Sequence, residues 1–167
     1  ENFLLSLQNG INNAYATILQ NKRWIIYDND FLENIYTYAA TKWASISVLA
    51  HEMGHHYYNH VVSGRGSTIP TEIEADGFSG YMMNKLGATL AQSIAAMKTI
   101  ATDKASSTHP AKADRVASIT KGWNAALNET KNTGTTGVGN TGNTNTGGNT
   151  GNTGTNTNTD PATDPSW

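Results

Sequence analysis

The chain has 167 residues, a net charge of −2 and no cysteine, and its few lysines and arginines are dispersed along the sequence. The lack of cysteine excludes disulfides and thiolate ligands, so any metal ligand must come from His, Asp or Glu. Without a basic cluster or a long apolar run, we expect neither a nucleic-acid partner nor a transmembrane segment.

Composition divides the chain into two parts. Residues 131–167 are mostly Asn, Thr and Gly and show no apolar periodicity. Such a segment cannot bury enough surface to offset the entropy lost on ordering, so we expect a disordered linker or stalk. Residues 1–130 are long enough for one domain with a single core.

The first half of this domain is predicted to contain the sheet. Residues 1–10 have apolar side chains at helix-like spacing and are interpreted as the end of a helix. The β-prone runs 12–19 and 23–27 flank a short polar turn and predict a hairpin. The Asp28-Asn29-Asp30 run then offers an N-cap for a helical turn through residues 31–38.

The second half is predicted to be helical, with helices over residues 41–61, 70–86, 88–101 and 108–128. A Ser- and Gly-rich run, residues 63–67, separates the first two. Thr71 can cap the second helix, and Pro110 fits the first turn of the last one. The predicted class is therefore α+β, mostly helical with a small sheet.

His51-Glu52-Met53-Gly54-His55 is the motif that carries chemistry in this chain. Helix positions four apart share a face, so His51 and His55 can bind one metal ion. Glu52 lies about 100° round the helix from His51, where it can reach a metal-bound water without being a ligand. The motif thus supplies two of the three protein ligands that a catalytic zinc site needs.

A metzincin-type third ligand is excluded by the sequence after this motif. That class requires Gly three residues and His six residues after His55, and those positions hold Tyr58 and Val61. His60 is predicted to point away, since on a continuous helix it lies about 180° from His51.

The second predicted helix offers a better candidate for the third ligand. Glu72 and Asp76 are four residues apart and share a face, whereas Glu74 lies roughly 200° from Glu72. We assign Glu72 to the metal. Asp76 is expected to accept the outer N–H of a ligating histidine, although an ordinary surface carboxylate is the alternative.

These residues predict hydrolysis of a peptide bond by a metal-activated water. Glu52 would take the proton of the water and deliver it to the leaving amine. His109 is the natural donor to the oxyanion, with Arg115 and Tyr57 or Tyr58 behind it. His109 could instead be a helix-cap neighbour, and Arg115 a structural salt-bridge partner.

The ordered motifs resemble a known peptidase family. His51-Glu52-x-x-His55, Glu72-x-x-Ala75-Asp76 and Thr108-His109-Pro110 with Arg115 are similar to the gluzincin peptidases related to HtpX and the CaaX prenyl proteases. The small soluble minigluzincins are more similar still. Asn13-Ala14-Tyr15-Ala16 matches their strand upstream of the metal helix, and the likeness runs from about Gly10 to Trp123.

The resemblance implies a zincin-like gluzincin fold with one Zn²⁺ per chain. His51, His55 and Glu72 would be the ligands, and Glu52 the general base and acid. Residues 13–17 would form an edge strand beside the cleft that receives an extended peptide. The membrane spans of the larger relatives are missing here, so their prenylated or membrane substrates are not carried over.

Three functions follow as expectations. The first is a zinc endopeptidase that acts on extended or unfolded polypeptides. The alternative is a catalytically latent zinc module that binds peptides, and the weakest is an adhesion domain on a stalk. A monomer is favoured. The polar tail favours an extracytoplasmic location, and so does the resemblance, because members of the family act at the cell envelope. The protein would then be periplasmic, exposed at the cell surface or secreted.

Overall fold

The computed structural model describes residues 3–62 and 67–134. It has three strands, β1 (Phe3–Leu7), β2 (Ala14–Leu19) and β3 (Lys22–Tyr27). The helices that follow are α1 (Asn29–Ala39), α2 (Lys42–Tyr57), α3 (Ile69–Lys85), α4 (Leu90–Ser93), α5 (Ala95–Ile100) and α6 (Lys112–Gly134), with a 3₁₀ turn at His60–Val62 after α2. The mixed α+β class, mostly helical with a small sheet, is confirmed.

The sheet has the order β1-β3-β2. The predicted hairpin is present, because β2 runs antiparallel to β3 with Ala16 opposite Ile25. Gln20 and Asn21 form its turn with φ angles of 51° and 58°, which suits the twist of a two-residue hairpin. In the described part of the chain β2 pairs on one side only, so its other edge is free of a strand.

The prediction of a helix end in residues 1–10 was wrong. Phe3–Leu7 is a strand that pairs in parallel with β3, from Phe3 beside Arg23 to Leu7 beside Tyr27. A short apolar run fits a helix and a strand about equally well from spacing alone. The hydrogen-bonding edge of β3 decides between them here, and that edge is supplied by a distant part of the sequence.

The helix starts follow local capping chemistry. The side chain of Asp28 accepts the Asp30 N–H at 3.0 Å and caps α1, as predicted. The cap of α3 is Thr68 rather than Thr71. Thr71 instead lies in the first turn, where it completes a capping box with Thr68.

Several helix ends differ from the prediction. Helix α2 ends at Tyr57, and the segment predicted as one helix over residues 88–101 forms two, α4 and α5. Helix α6 begins at Lys112, just after Pro110, and continues to Gly134. Residues 63–66 of the predicted break and 135–167 of the predicted linker lie outside the described residues. In the described part of the chain no helix has the length and apolarity needed to cross a membrane.

The apolar core lies between the sheet and the helices. Its buried side chains come from β2, α1, α2, α5 and α6, and they are Ala14, Leu32, Ile35, Ala44, Val48, Ala96, Met97 and Ile119. The core therefore ties α2, which carries the His-Glu motif, to the edge strand β2 on one side and to α6 on the other.

Helices α3 and α6 approach each other closely at Gly122. A Cβ atom at this position would lie 1.9 Å from the carbonyl oxygen of Gly77 and 3.0 Å from the Tyr81 nitrogen. Both neighbours are backbone atoms, which cannot move aside as a flexible side chain can. Glycine at position 122 thus sets the distance between the two helices.

We expect Gly122→Ala to destabilise the protein by about 1–3 kcal/mol or more, because the added methyl group forces α3 and α6 apart. Urea unfolding of the metal-free protein measures this. Asn124→Ala, an exposed change on the same helix, is the control and should stay within about 0.5 kcal/mol of wild type. Equal stability of both variants would contradict the close helix contact.

Candidate metal centre

Two histidines of α2 and one glutamate of α3 converge inside the protein. His51, His55 and Glu72 are 7%, 7% and 3% exposed. The Nε2 atoms of the two histidines are 3.1 Å apart. Each lies 3.3 Å from a different oxygen of the Glu72 carboxylate, His51 from Oε2 and His55 from Oε1. The three side chains thus present one ligand atom each to a common point.

This triangle fits a zinc ion. Tetrahedral zinc with ligands at about 2.0–2.1 Å requires neighbouring ligand atoms roughly 3.3 Å apart. The histidine nitrogens are 3.1 Å apart, and each lies 3.3 Å from one of the two Glu72 oxygens, which is close to this requirement. Charge balance agrees with this geometry. The buried carboxylates of Glu52, Glu72 and Asp76 face one buried guanidinium, that of Arg115. With neutral histidines the cluster has two excess negative charges, which a divalent cation would neutralise.

Helices α2 and α3 can approach closely because the motif contains Gly54. A Cβ atom there would lie 3.0 Å from the Cα of Ala75 and 3.1 Å from the Cβ of Phe78. Glycine on α2 and alanine on α3 leave little more than backbone between the helices. The short Glu72 side chain therefore reaches the two histidines.

Asp76 lies behind His51 and joins three helices. Its Oδ1 atom accepts the Nδ1–H of His51 at 2.9 Å. Arg115 on α6 donates from Nε to Oδ2 at 2.7 Å and from its terminal nitrogen to Oδ1 at 2.8 Å. Asp76 is 1% exposed, so these are buried, charge-assisted bonds.

The same contacts place Arg115 as an ion-pair partner of Asp76, and its terminal nitrogen also lies 3.5 Å from Glu72 Oε2. Of the two roles predicted for Arg115, this geometry favours the structural salt bridge over donation to an oxyanion. A carboxylate on the outer nitrogen of His51 fixes the tautomer whose Nε2 lone pair faces the triangle.

His51 and Glu72 hold charge in the metal-free protein. Burial opposes the charge on His51, but the carboxylates of Asp76 and Glu72 prevail and raise its pKa to about 10. Burial also opposes the charge on Glu72, yet the hydrogen bond from His51 and the positive charge of that ring hold its pKa well below the ordinary value. A proton on His51 thus partly replaces a cation when no metal is bound.

Glu52 lies beside the triangle and is fixed by the edge strand. The backbone N–H of Ala16 on β2 donates to its Oε2 atom at 2.8 Å. Burial raises the pKa of Glu52 to about 7, and the positive charges of His51 and Arg115 only partly offset this. A carboxyl group that titrates near neutrality can both accept and return a proton.

The prediction that His60 points away was wrong. Its Nδ1 atom lies 3.0 Å from Nδ1 of His55, and its Nε2 atom lies 2.7 Å from Oε2 of Glu74. The helical projection assumed a helix through residue 61, whereas α2 ends at Tyr57 and Asn59 has a φ of 60°. Asn is enriched in that conformation, so Asn59 was the signal for the turn. His56 is packed, with Nε2 2.8 Å from the Trp24 carbonyl oxygen.

A cleft of about 560 Å³ opens beside the three ligands. It is lined by the segment predicted as substrate strand, Asn13, Ala14, Tyr15, Ala16 and Thr17, and by the apolar side chains of Val48, Met97 and Ile100. Exposed His109 also lines the cleft, and its Nδ1 lies 2.9 Å from the Thr108 hydroxyl. Tyr57 and Tyr58 pack against each other and Phe78, and neither is among the described residues that line the cleft.

A buried His-His-Glu triangle beside a second glutamate on the motif helix is a site of the metallopeptidase class. Residues 2–69 match the family model described as peptidase family M48, and this match supports an assignment to the M48 metallopeptidases. The match includes β2 and the His-Glu motif and ends before Glu72, so it does not cover the third ligand. Neither the curated proteins nor the solved structures contain a significant match to the chain.

We expect Asp76→Asn to weaken zinc binding roughly 10- to 100-fold, because His51 loses its charged partner. The metal-free protein should lose about 3–5 kcal/mol, since Arg115 keeps its buried charge without this carboxylate. Competition against a chromophoric chelator and urea unfolding measure the two effects. Exposed Asp114→Asn is the control, and wild-type zinc affinity in Asp76→Asn would rule out the role given to Asp76.

The free energy of unfolding of the metal-free protein should fall as pH rises from 6.5 towards 10. Folding raises the pKa of His51 from 6.5 to about 10, so its stabilising contribution is complete below 6.5 and is lost through that window. Urea unfolding in chelator between about pH 7 and pH 9 tests this. Zinc-loaded protein, which needs neutral His51, should not show this loss, and a flat profile without metal would contradict the assignment.

Proposed function

We propose that the chain is a zinc metalloendopeptidase of family M48 with a gluzincin-type site. The observation that carries this proposal is the convergence of His51, His55 and Glu72, with contacts of 3.1–3.3 Å between their ligand atoms, beside buried Glu52. The match of residues 2–69 to the M48 family model supports it independently of the Glu72 geometry.

The ligands and the general base have separate roles in this proposal. His51, His55 and Glu72 would hold one zinc ion, which when bound would supply Lewis-acid polarisation of the carbonyl and a lowered pKa of water. Glu52 accepts the proton of the attacking water through the oxygen that Ala16 does not hold. Because its pKa is raised to about 7, the same carboxyl group can then protonate the leaving amine.

The substrate that suits this cleft is an extended or unfolded polypeptide. Strand β2 lies along the cleft, and in the described residues it pairs with a strand on its other side only. A peptide could add to the free edge along Asn13, Ala14, Tyr15 and Ala16 through backbone hydrogen bonds, except at the Ala16 N–H, which already donates to Glu52. Exposed His109, at the cleft wall, is proposed as the donor to the oxyanion.

The finer features of this proposal rest on the sequence. Similarity of the ordered motifs to the HtpX group favours a minigluzincin-like domain. The Asn/Thr/Gly composition of residues 135–167, which follow α6, favours a linker that tethers the domain. We propose a monomer that works outside the cytoplasm, at the cell surface, in the periplasm or as a secreted protein.

Glu52→Gln is the direct test. We expect cleavage of unfolded casein to fall roughly 10²- to 10⁴-fold, because the amide cannot carry the proton. Zinc content should remain one ion per chain, since Glu52 is not a ligand. A fluorogenic peptide assay and metal analysis of the same samples give both readings.

Glu33→Gln is a matched control for this experiment, because Glu33 is exposed and its side chain accepts a hydrogen bond from Asn29, away from the metal centre. It should retain wild-type cleavage. Zinc binding without cleavage by the wild type would favour the latent peptide-binding module. Absence of zinc from the wild type would refute both readings.

A further inference from the structure

Each ligating histidine has a different partner on its outer nitrogen. His51 bonds directly to the carboxylate of Asp76. His55 instead lies against His60, which lies against Glu74. The turn after α2 therefore contributes a side chain to the metal centre, and neither the His-Glu motif nor the Glu72–Asp76 pair includes it.

The contacts of His60 determine where the protons must be. Its Nε2 atom lies 2.7 Å from Oε2 of Glu74, and a carboxylate accepts, so Nε2 carries the proton. The Nδ1 atom of a neutral His60 is then an acceptor. Only one proton fits between two Nδ1 atoms 3.0 Å apart, and it must belong to His55.

The position of this proton also determines the state of the other ring nitrogen of His55, Nε2. A neutral ring with its proton on Nδ1 has a lone pair on Nε2, the atom 3.1 Å from His51 Nε2 and 3.3 Å from Glu72 Oε1. The side chains of His55 and His60 are only 8% and 10% exposed, so burial protects this arrangement of protons from water. The ring of Tyr58 stacks on His60 at 5.6 Å and restricts its orientation.

We propose that His60 is a positioning residue of the metal centre, which accepts the Nδ1–H of His55, donates to Glu74 and thereby turns the Nε2 lone pair of His55 towards the metal. The proposal rests on the proposed function, because His55 acts there as a zinc ligand. Helix α3 then provides a carboxylate for each ligating histidine. Asp76 bonds to His51 directly, and Glu74 acts on His55 through His60.

Three variants of the full chain test this inference. In His60→Leu the acceptor is lost at similar volume, and the zinc dissociation constant should rise roughly 10- to 100-fold. His60→Gln retains an acceptor and a donor on one planar group, so its affinity should stay within about threefold of wild type. Glu74→Gln removes the charge and should weaken binding by roughly tenfold. Glu33→Gln is the matched control.

Zinc competition titrations give the affinities, and long-range ¹H–¹⁵N spectra of the metal-free protein report the tautomer of His55. We expect the Nδ1–H form in wild type and His60→Gln, and a mixture of tautomers in His60→Leu. A purely structural role would lower the free energy of unfolding without moving this signature. Wild-type affinity and tautomer in His60→Leu, or equal weakening in His60→Leu and His60→Gln, would overturn the inference.

The two proposals can fail separately. A wild type that binds zinc but cleaves nothing removes the peptidase function and leaves the affinity test of His60 in place. A wild type that binds no zinc overturns both. If His60→Leu does not fold, Glu74→Gln decides, and wild-type affinity and tautomer in that variant would overturn the role of His60.

Discussion

The carboxylate of Asp76 is the contact on which the site depends. It receives His51 from α2 at 2.9 Å and two nitrogens of Arg115 from α6 at 2.7 and 2.8 Å, while its own backbone belongs to α3. A buried ion pair needs such saturation, because burial removes the hydration of both ions and only well-formed bonds to the charged atoms offset that loss. The three helices around the metal centre thus share one buried electrostatic contact.

The small residues around this contact are equally necessary. Gly54 lets α2 approach α3, and Gly122 lets α6 approach α3, in both cases near backbone atoms. A bulkier residue at either position would separate side chains that meet at distances of about 3 Å, and hydrogen bonds weaken steeply when stretched. Packing and electrostatics therefore act together, because the buried charged groups can form hydrogen bonds only when the helix backbones lie close to each other.

The sequence predicted the parts of the site that lie within regular helices. His51 and His55, and likewise Glu72 and Asp76, keep fixed phase because the helical rise and turn are constant. Prediction failed where a distant segment or a helix end decides. Strand β1 depends on the edge of β3. His60 depends on the end of α2 at Tyr57, which a helical projection does not contain.

The bond from Ala16 to Glu52 has a consequence for any chain that lies along β2. A strand that adds to this edge would pair with the N–H groups that point outward from β2. The N–H of Ala16 is one of these groups, and it already donates to the general base Glu52. An added strand could hydrogen-bond to β2 on either side of Ala16, but it would find no free N–H at Ala16 itself, beside Glu52. The peptide would be anchored on both sides of Ala16 and would lack one hydrogen bond between them, so the peptide segment nearest the general base would be the one held less tightly.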